Sequence, residues 1–141
     1  MTSYVLDARV AAKWVLRVGE PFAAEALQLF KSYKAGEIDF LVPDLFFADF
    51  AEILSKAQLR GRCDAALVDS AVREMISLGI PAFSSFSLIE AAIQIARAYR
   101  RPVYDCIYVA LAVETRSEMV TADELLANSL PGLPVVWLGL L

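Results

Sequence analysis

The sequence predicts an α/β fold in three layers, α/β/α, with a central, mostly parallel sheet of four to five strands. Three observations predict it. Short apolar runs alternate with segments of helical period along the whole chain. The hydrophobic fraction is 58%, above the roughly 45–50% of an average soluble domain, and a sheet covered on both faces absorbs such a surplus. Strands separated by helices need long crossovers, which join parallel neighbours. A length of 141 residues suits one domain, residues 1–141, around one core.

Tyr4-Val5-Leu6 reads as a short strand ending at Asp7, followed by a helix over Ala8–Arg17. Pro21 suits the start of a second helix, Phe22–Lys34, whose apolar residues Phe22, Ala26, Leu29, Phe30 and Tyr33 recur at helical spacing until Gly36 stops it. Phe40-Leu41-Val42 is the next strand, and Pro43-Asp44 opens a long helix through Leu59. Asp64 caps a helix that reaches Leu78 before Gly79. Ile80–Phe83 is a third strand. Ser87 and Glu90 fit a capping box for a helix from Leu88 to Tyr99. Tyr104–Thr115 is apolar nearly all round and belongs in the core. A strand over Glu118–Thr121, a short helix over Glu124–Asn128 and a last strand over Pro134–Leu138 complete the chain.

Composition removes several kinds of chemistry. With no histidine, Ser-His-Asp catalysis and histidine metal ligands are excluded. Cys63 and Cys106 are far apart, so neither a disulfide framework nor a zinc site is expected, and a reducing cytoplasm is the expected location. No run approaches the roughly 18 apolar residues of a spanning helix, and Met1-Thr2-Ser3-Tyr4 lacks the basic start of a signal peptide. Net charge is −4, the opposite of a usual nucleic-acid footprint. A cation gathered among several acids inverts that local charge.

Four acids stand out. Asp7 and Asp123 follow strands and should share the rim where open parallel sheets bind ligands, although each could simply cap the next helix. Asp105 opens the apolar helix beside that rim. Asp49 lies among Phe46, Phe47, Phe50 and Ile53, where an acid is costly unless paired or metal-bound. Glu52 shares its face, with Lys56 as an alternative partner four residues on. Carboxylates from four elements suit Mg2+ or Mn2+, which prefer oxygen ligands. Such an ion activates bound water and stabilises an in-line phosphoryl displacement.

These segments resemble the PIN-domain family, and especially its VapC-like toxin ribonucleases. The family's D-x-S/N strand end and A-A-K-W stretch are matched by Asp7-Ala8-Arg9-Val10-Ala11-Ala12-Lys13-Trp14. Its P-D-L…E-x-x-N helix is matched by Pro43-Asp44-Leu45 through Asp49-Phe50-Ala51-Glu52. Its Y-D-x-x-Y-x-A-L-A run is matched by Tyr104–Ala112, and its strand with T-x-D by Val120-Thr121-Ala122-Asp123. The resemblance covers essentially the whole chain. It implies an Mg2+- or Mn2+-dependent endoribonuclease, the toxin of a toxin–antitoxin pair. Asp7, Asp49, Asp105 and Asp123 would hold the metal or activate its water, and Thr121 would be a supporting or substrate-facing hydroxyl. It also implies a homodimer and an antitoxin partner that inserts into the site.

Three positions depart from the family pattern. Arg9 replaces a small hydroxyl or amide, Asp49 replaces glutamate, and Glu52 replaces asparagine. A guanidinium here competes with metal for the carboxylates or contacts RNA phosphate. Arg9 and Glu52 are expected to form an ion pair. The basic clusters Lys56, Arg60 and Arg62, and Arg97, Arg100 and Arg101, could track RNA phosphates, with Lys56, Arg60 and Arg101 as the candidate contacts and a solvated surface as the alternative. The competing function is an impaired PIN-like domain that binds RNA or protein without cleaving. A phosphatase with a nucleophilic aspartate ranks lower, because Asp7-Ala8-Arg9 lacks its D-x-D. The phenylalanine-rich helices Phe22–Lys34 and Asp44–Leu59 are expected to offer a partner surface or to be claimed by the core.

Overall fold

The computed structural model describes residues 2–141; Met1, the first residue of the expected domain and of the N-terminus read above, lies outside them. Five parallel strands form one sheet in the order β3-β2-β1-β4-β5. They are β1 (Thr2–Leu6), β2 (Ile38–Pro43), β3 (Ala82–Phe83), β4 (Glu118–Thr121) and β5 (Val135–Trp137). The α-helices are α1 (Ala8–Ala12), α2 (Ala23–Lys34), α3 (Phe46–Leu59), α4 (Ala65–Ser77), α5 (Ile89–Tyr99), α6 (Val103–Thr115) and α7 (Glu124–Asn128). Among the described residues, no helix is long and apolar enough to cross a membrane.

The expected three-layer architecture is present. α6 lies across β1, β2 and β4 with α5 packed against it, and α3 packs on both α1 and α4 as a second helical group. β1 and β4 contribute Val5, Leu6, Met119 and Val120 to the fully buried core, and α6 contributes Cys106 through Ala112. Burial on that scale, at roughly 25 cal/mol per Å² of apolar surface, is what makes the all-apolar α6 sequence stable only inside the molecule.

Where elements differ from the sequence reading, a local contact explains most of the differences. α1 stops at Ala12 instead of Arg17, and the chain tightens into i→i+3 turns through Val15. There Lys13 is drawn to Glu20 and to the Pro21 carbonyl, and the Trp14 indole donates to the Ala26 carbonyl. α2 begins at Ala23, because Phe22 takes a left-handed φ of 59° and packs edge-on against Trp137. α3 begins at Phe46: Pro43 still pairs in β2, and Asp44 caps no helix but accepts from the backbone and hydroxyl of Ser85. The capping box at Ser87 does not form. A 3-10 turn over Phe86–Leu88 precedes α5, and the Ser87 hydroxyl donates to the Ser84 carbonyl. β3 and β5 are shorter than expected.

The phenylalanines of α3 are mostly core: Phe46 and Phe50 are buried and stacked 6.1 Å apart. Large exposed apolar side chains include Phe22 and Leu59, at the ends of the two segments expected to offer a surface, and Leu67, Ile76, Phe86, Ile89 and Ile93 beyond them.

Candidate functional site

β1 connects to its neighbour β2 on one side and pairs with β4 on the other, so the strand order reverses between β1 and β4. A crevice opens beyond the carboxyl ends of strands at such a switch point. Asp7 follows β1 directly, and Asp123 lies two residues beyond β4. Both also cap helices: Asp7 accepts from the Arg9 backbone N–H at 3.0 Å, and Asp123 Oδ1 accepts from that of Leu126 at 3.1 Å. Capping and convergence, alternatives at the level of sequence, are both realised.

Asp105 does not cap α6, whose N-cap residue is Pro102. Its carboxylate is turned to the crevice, with Tyr108 three residues on along the same helix face. Asp49, in the first turn of α3, shares a cleft of about 270 Å3 with Asp7, Arg9, Glu52, Ile53, Tyr104, Asp105 and Tyr108. The Tyr108 hydroxyl donates to Asp49 Oδ2 at 2.8 Å. Thr121, fully buried, donates to Asp7 Oδ2 at 2.6 Å and accepts from the Asp123 backbone N–H at 3.1 Å.

Arg9 fills the middle of this group. Its Nε donates to both oxygens of Asp7 at 3.2 and 3.0 Å, and Nη2 stands 2.9 Å from Asp7 Oδ2. Nη2 also donates to Asp105 Oδ1 at 3.0 Å, and Nη1 to Asp123 Oδ2 at 3.1 Å. The expected Arg9–Glu52 ion pair is absent. Three carboxylates already satisfy the guanidinium's fork, whereas Glu52 is exposed and pairs with neither Arg9 nor Lys56. A planar group with five fixed donors goes where several acceptors converge.

The electrostatics follow from this packing. Burial works against the Arg9 charge, but Asp7, Asp105 and Asp123 outweigh it and hold its pKa above the ordinary arginine value. Asp105 is raised above the usual aspartate range by burial, with the acids around it adding to the rise and Arg9 opposing it. Asp49 is raised as well, first by burial and then by Asp7, against the Tyr108 hydrogen bond and Arg9. Burial and Asp49 push the Tyr108 phenol far above its usual range. Burial lifts the Cys106 thiol to about 11, so it stays an inert core group.

A second cleft, of about 380 Å3, lies on the other side of Arg9 and Asp123 and is lined by Lys13, Glu20, Ile53 and Arg62 as well. Lys13 Nζ donates to Glu20 Oε1 at 3.1 Å and to the Pro21 carbonyl at 2.8 Å, and Arg62 Nη2 donates to Glu20 Oε2 at 3.1 Å. Sequence reasoning missed Lys13 and Tyr108 as site residues, and Arg62 of the expected basic cluster does line this cleft. Lys13 and Tyr108 stand inside the A-A-K-W and Y-D-x-x-Y stretches, which was the available signal. Lys56, Arg60 and Arg101 line neither cleft. Lys56 and Arg60 are exposed one and two turns beyond Glu52, toward the end of α3, and Arg101 lies just before α6.

As they stand, these residues do not fit a divalent metal ion. The donor set has the right chemistry, all carboxylate oxygen. Yet among the described residues no three acidic or cysteine side chains are placed to hold one ion, and the guanidinium takes the oxygens that would do so. The expected acid-only centre is therefore an acid–guanidinium centre.

The family model described as PIN domain matches residues 4–128. Among curated proteins, no relative matches the chain. Solved structures share its fold. One is PAE2754 from Pyrobaculum aerophilum, with a TM-score of 0.71 and 19% identity over 99% of this chain and 85% of that one. A toxin–antitoxin complex from Klebsiella pneumoniae gives a TM-score of 0.61 and 18% identity over 94% of this chain and 95% of that one. VapBC2 from Rickettsia felis, bound to a DNA fragment from its promoter, gives 0.63 and 11% over 96% and 98%.

Proposed function

The chain belongs to the PIN domain family, and from that premise we propose that it is an endoribonuclease of the VapC-like type, the toxin of a toxin–antitoxin pair. The observation that carries the reading is the gathering of Asp7, Asp49, Asp105 and Asp123 at the β1/β4 switch point. An acceptor-rich crevice of this kind has no histidine alternative in this chain. Mg2+ or Mn2+ is the cofactor that the donor chemistry and the family suggest. Arg9, seated among the acids, takes the oxygens that would hold it.

The chain's own residues supply positioning. Thr121 fixes one oxygen of Asp7, and Tyr108 orients Asp49. Lys13 and Arg62 put positive charge beside Asp123, where an RNA phosphate would approach. Lys56 and Arg60 extend that charge along α3, and Arg101 does so beside α6. The exposed Leu59, Leu67, Ile76, Phe86, Ile89 and Ile93 supply apolar surface for a homodimer or an antitoxin. A cytoplasmic location accords with two unpaired cysteines.

One observation favours a second reading, a PIN domain that binds RNA or protein without cleaving: Arg9 saturates Asp7 and takes one oxygen each of Asp105 and Asp123. Calorimetry with Mn2+ on wild type and Asp7→Asn, paired with cleavage of labelled RNA, separates the two. Binding and cleavage in wild type, both lost in Asp7→Asn, support the nuclease. RNA retention by folded protein with neither metal binding nor cleavage supports the binding module.

A further inference from the structure

We infer that the guanidinium of Arg9 is the resident cation of the carboxylate centre, so that a divalent metal binds only by displacing it. The inference rests on the metal-dependent reading above and specifies how the centre is regulated.

The hydrogen bonds at each carboxylate oxygen favour exchange over sharing. Asp7 Oδ1 accepts from the Arg9 backbone N–H and from Nε. Asp7 Oδ2 accepts from Nε and the Thr121 hydroxyl, with Nη2 2.9 Å away. A carboxylate has about four lone-pair directions, so Asp7 has none to offer a metal while Arg9 is seated. Asp123 gives Oδ1 to the Leu126 N–H and Oδ2 to Arg9. Asp49 gives Oδ2 to Tyr108. That leaves Asp105 Oδ2 and Asp49 Oδ1, on different helices, as the uncommitted oxygens of the four acids. An ion on those two oxygens would be mostly water-bound and would face the guanidinium's charge, so a centre that engages Asp7 needs Arg9 withdrawn.

The exchange is physically open. All the side-chain partners of Arg9 among the described residues are the three carboxylates, so nothing else anchors it. Its side chain is 36% exposed, and its stem can carry the head into water. One positive charge against three carboxylates also leaves the centre anionic, and a doubly charged ion gains more from that field than a guanidinium. Because Arg9 is tethered two residues from Asp7, its effective concentration is high, and the apparent metal affinity falls by the fraction of time it is withdrawn. Without metal, Asp7, Asp105 and Asp123 would repel one another, and Arg9 keeps them together.

The test is Mn2+ calorimetry and metal-free thermal unfolding of wild type, Arg9→Ser and Arg9→Lys. Arg9→Ser should bind Mn2+ about tenfold or more tightly than wild type, the gain expected when a competing tethered cation is removed. Its metal-free Tm should be lower, and Mn2+ should restore it. Arg9→Lys is decisive because it keeps the charge but not the fork: it should also bind Mn2+ more tightly than wild type. Should Arg9→Ser not fold without metal, the lysine variant alone settles the matter. Wild type and both variants binding Mn2+ equally would overturn the exchange while leaving the metal-dependent nuclease reading intact. Absence of binding in folded wild type and both variants would overturn the metal-dependent reading itself, and the exchange with it.

Discussion

The Tyr108 hydroxyl stands 2.8 Å from Asp49 Oδ2 and donates to it, joining the middle of α6 to the first turn of α3. Tyr108 is buried, so this hydroxyl has little access to water. The hydrogen bond lowers the Asp49 pKa against the larger, raising effect of burial. Tyr108→Phe should therefore raise the Asp49 pKa further, and should cost about 1.5–3 kcal/mol at neutral pH, as for a hydrogen bond to a charged group. A carboxyl NMR titration reads the first and urea unfolding the second. An unmoved Asp49 titration would show that the bond does not orient or tune that carboxylate.

Asp49 carries no cation of its own, since Arg9 bonds the other three acids. Its folded pKa lies above the ordinary 3.8, chiefly through burial. For an acid shifted upward, the charged form is the penalised one. Stability is therefore lower above the folded pKa and recovers as pH falls toward the unfolded value. Asp49→Asn should raise Tm at pH 7 by roughly 1–3 °C, a small gain because the half-exposed group is partly screened. The gain should shrink as pH falls through the raised folded value and vanish below the ordinary 3.8, where folded and unfolded wild type are both protonated. A Tm difference independent of pH would locate the effect in packing.

Thr121 donates to Asp7 and accepts from the Asp123 N–H from a fully buried position. Thr121→Val keeps the shape and removes both bonds, which should cost about 1–3 kcal/mol by leaving buried groups unpaired. Thr121→Ser should keep most of that stability. Chemical denaturation of the two variants gives the comparison, and equal losses would mean that the methyl group matters more than the hydroxyl.

The fold was legible because its signals are collective. Alternation of short apolar runs with helical periods does not depend on any one side chain, and the β4 and α7 bounds matched at every residue. Asp7 and Asp123 were legible as rim groups because a strand end fixes where the next residue lies. Arg9 was not. Its long side chain could reach Glu52 or the acids, and the outcome turned on the number of acceptors, a property of the assembled rim. The Ser87 capping box failed for a similar reason: Ser87 lies inside the 3-10 turn Phe86–Leu88, and Leu88 stands at the N-cap of α5 in its place. Tyr108 looked like ordinary core, since only the three-dimensional meeting of α6 with α3 sets its hydroxyl against Asp49.

Lys13 is 6% exposed, and its ammonium is held by Glu20 and the Pro21 carbonyl. Burial alone would raise the Glu20 pKa, but the bonds from Lys13 and Arg62 outweigh it and bring it below the ordinary 4.5. An acid shifted downward stabilises the fold above its unfolded pKa, and that stability is lost as pH falls through the lower folded value. Glu20→Gln should therefore cost about 1–3 kcal/mol at pH 7, because a buried ammonium loses its charged partner. The cost should shrink steadily below pH 4.5 as wild-type Glu20 takes up its proton. Arg62 is 41% exposed, so Arg62→Ala should change stability by no more than about 0.5 kcal/mol. Urea unfolding of both variants across pH 3–7 tests the ordering. A larger loss in Arg62→Ala than in Glu20→Gln would mean that the solvent-facing bond, and not the buried lysine, holds this corner of the second cleft.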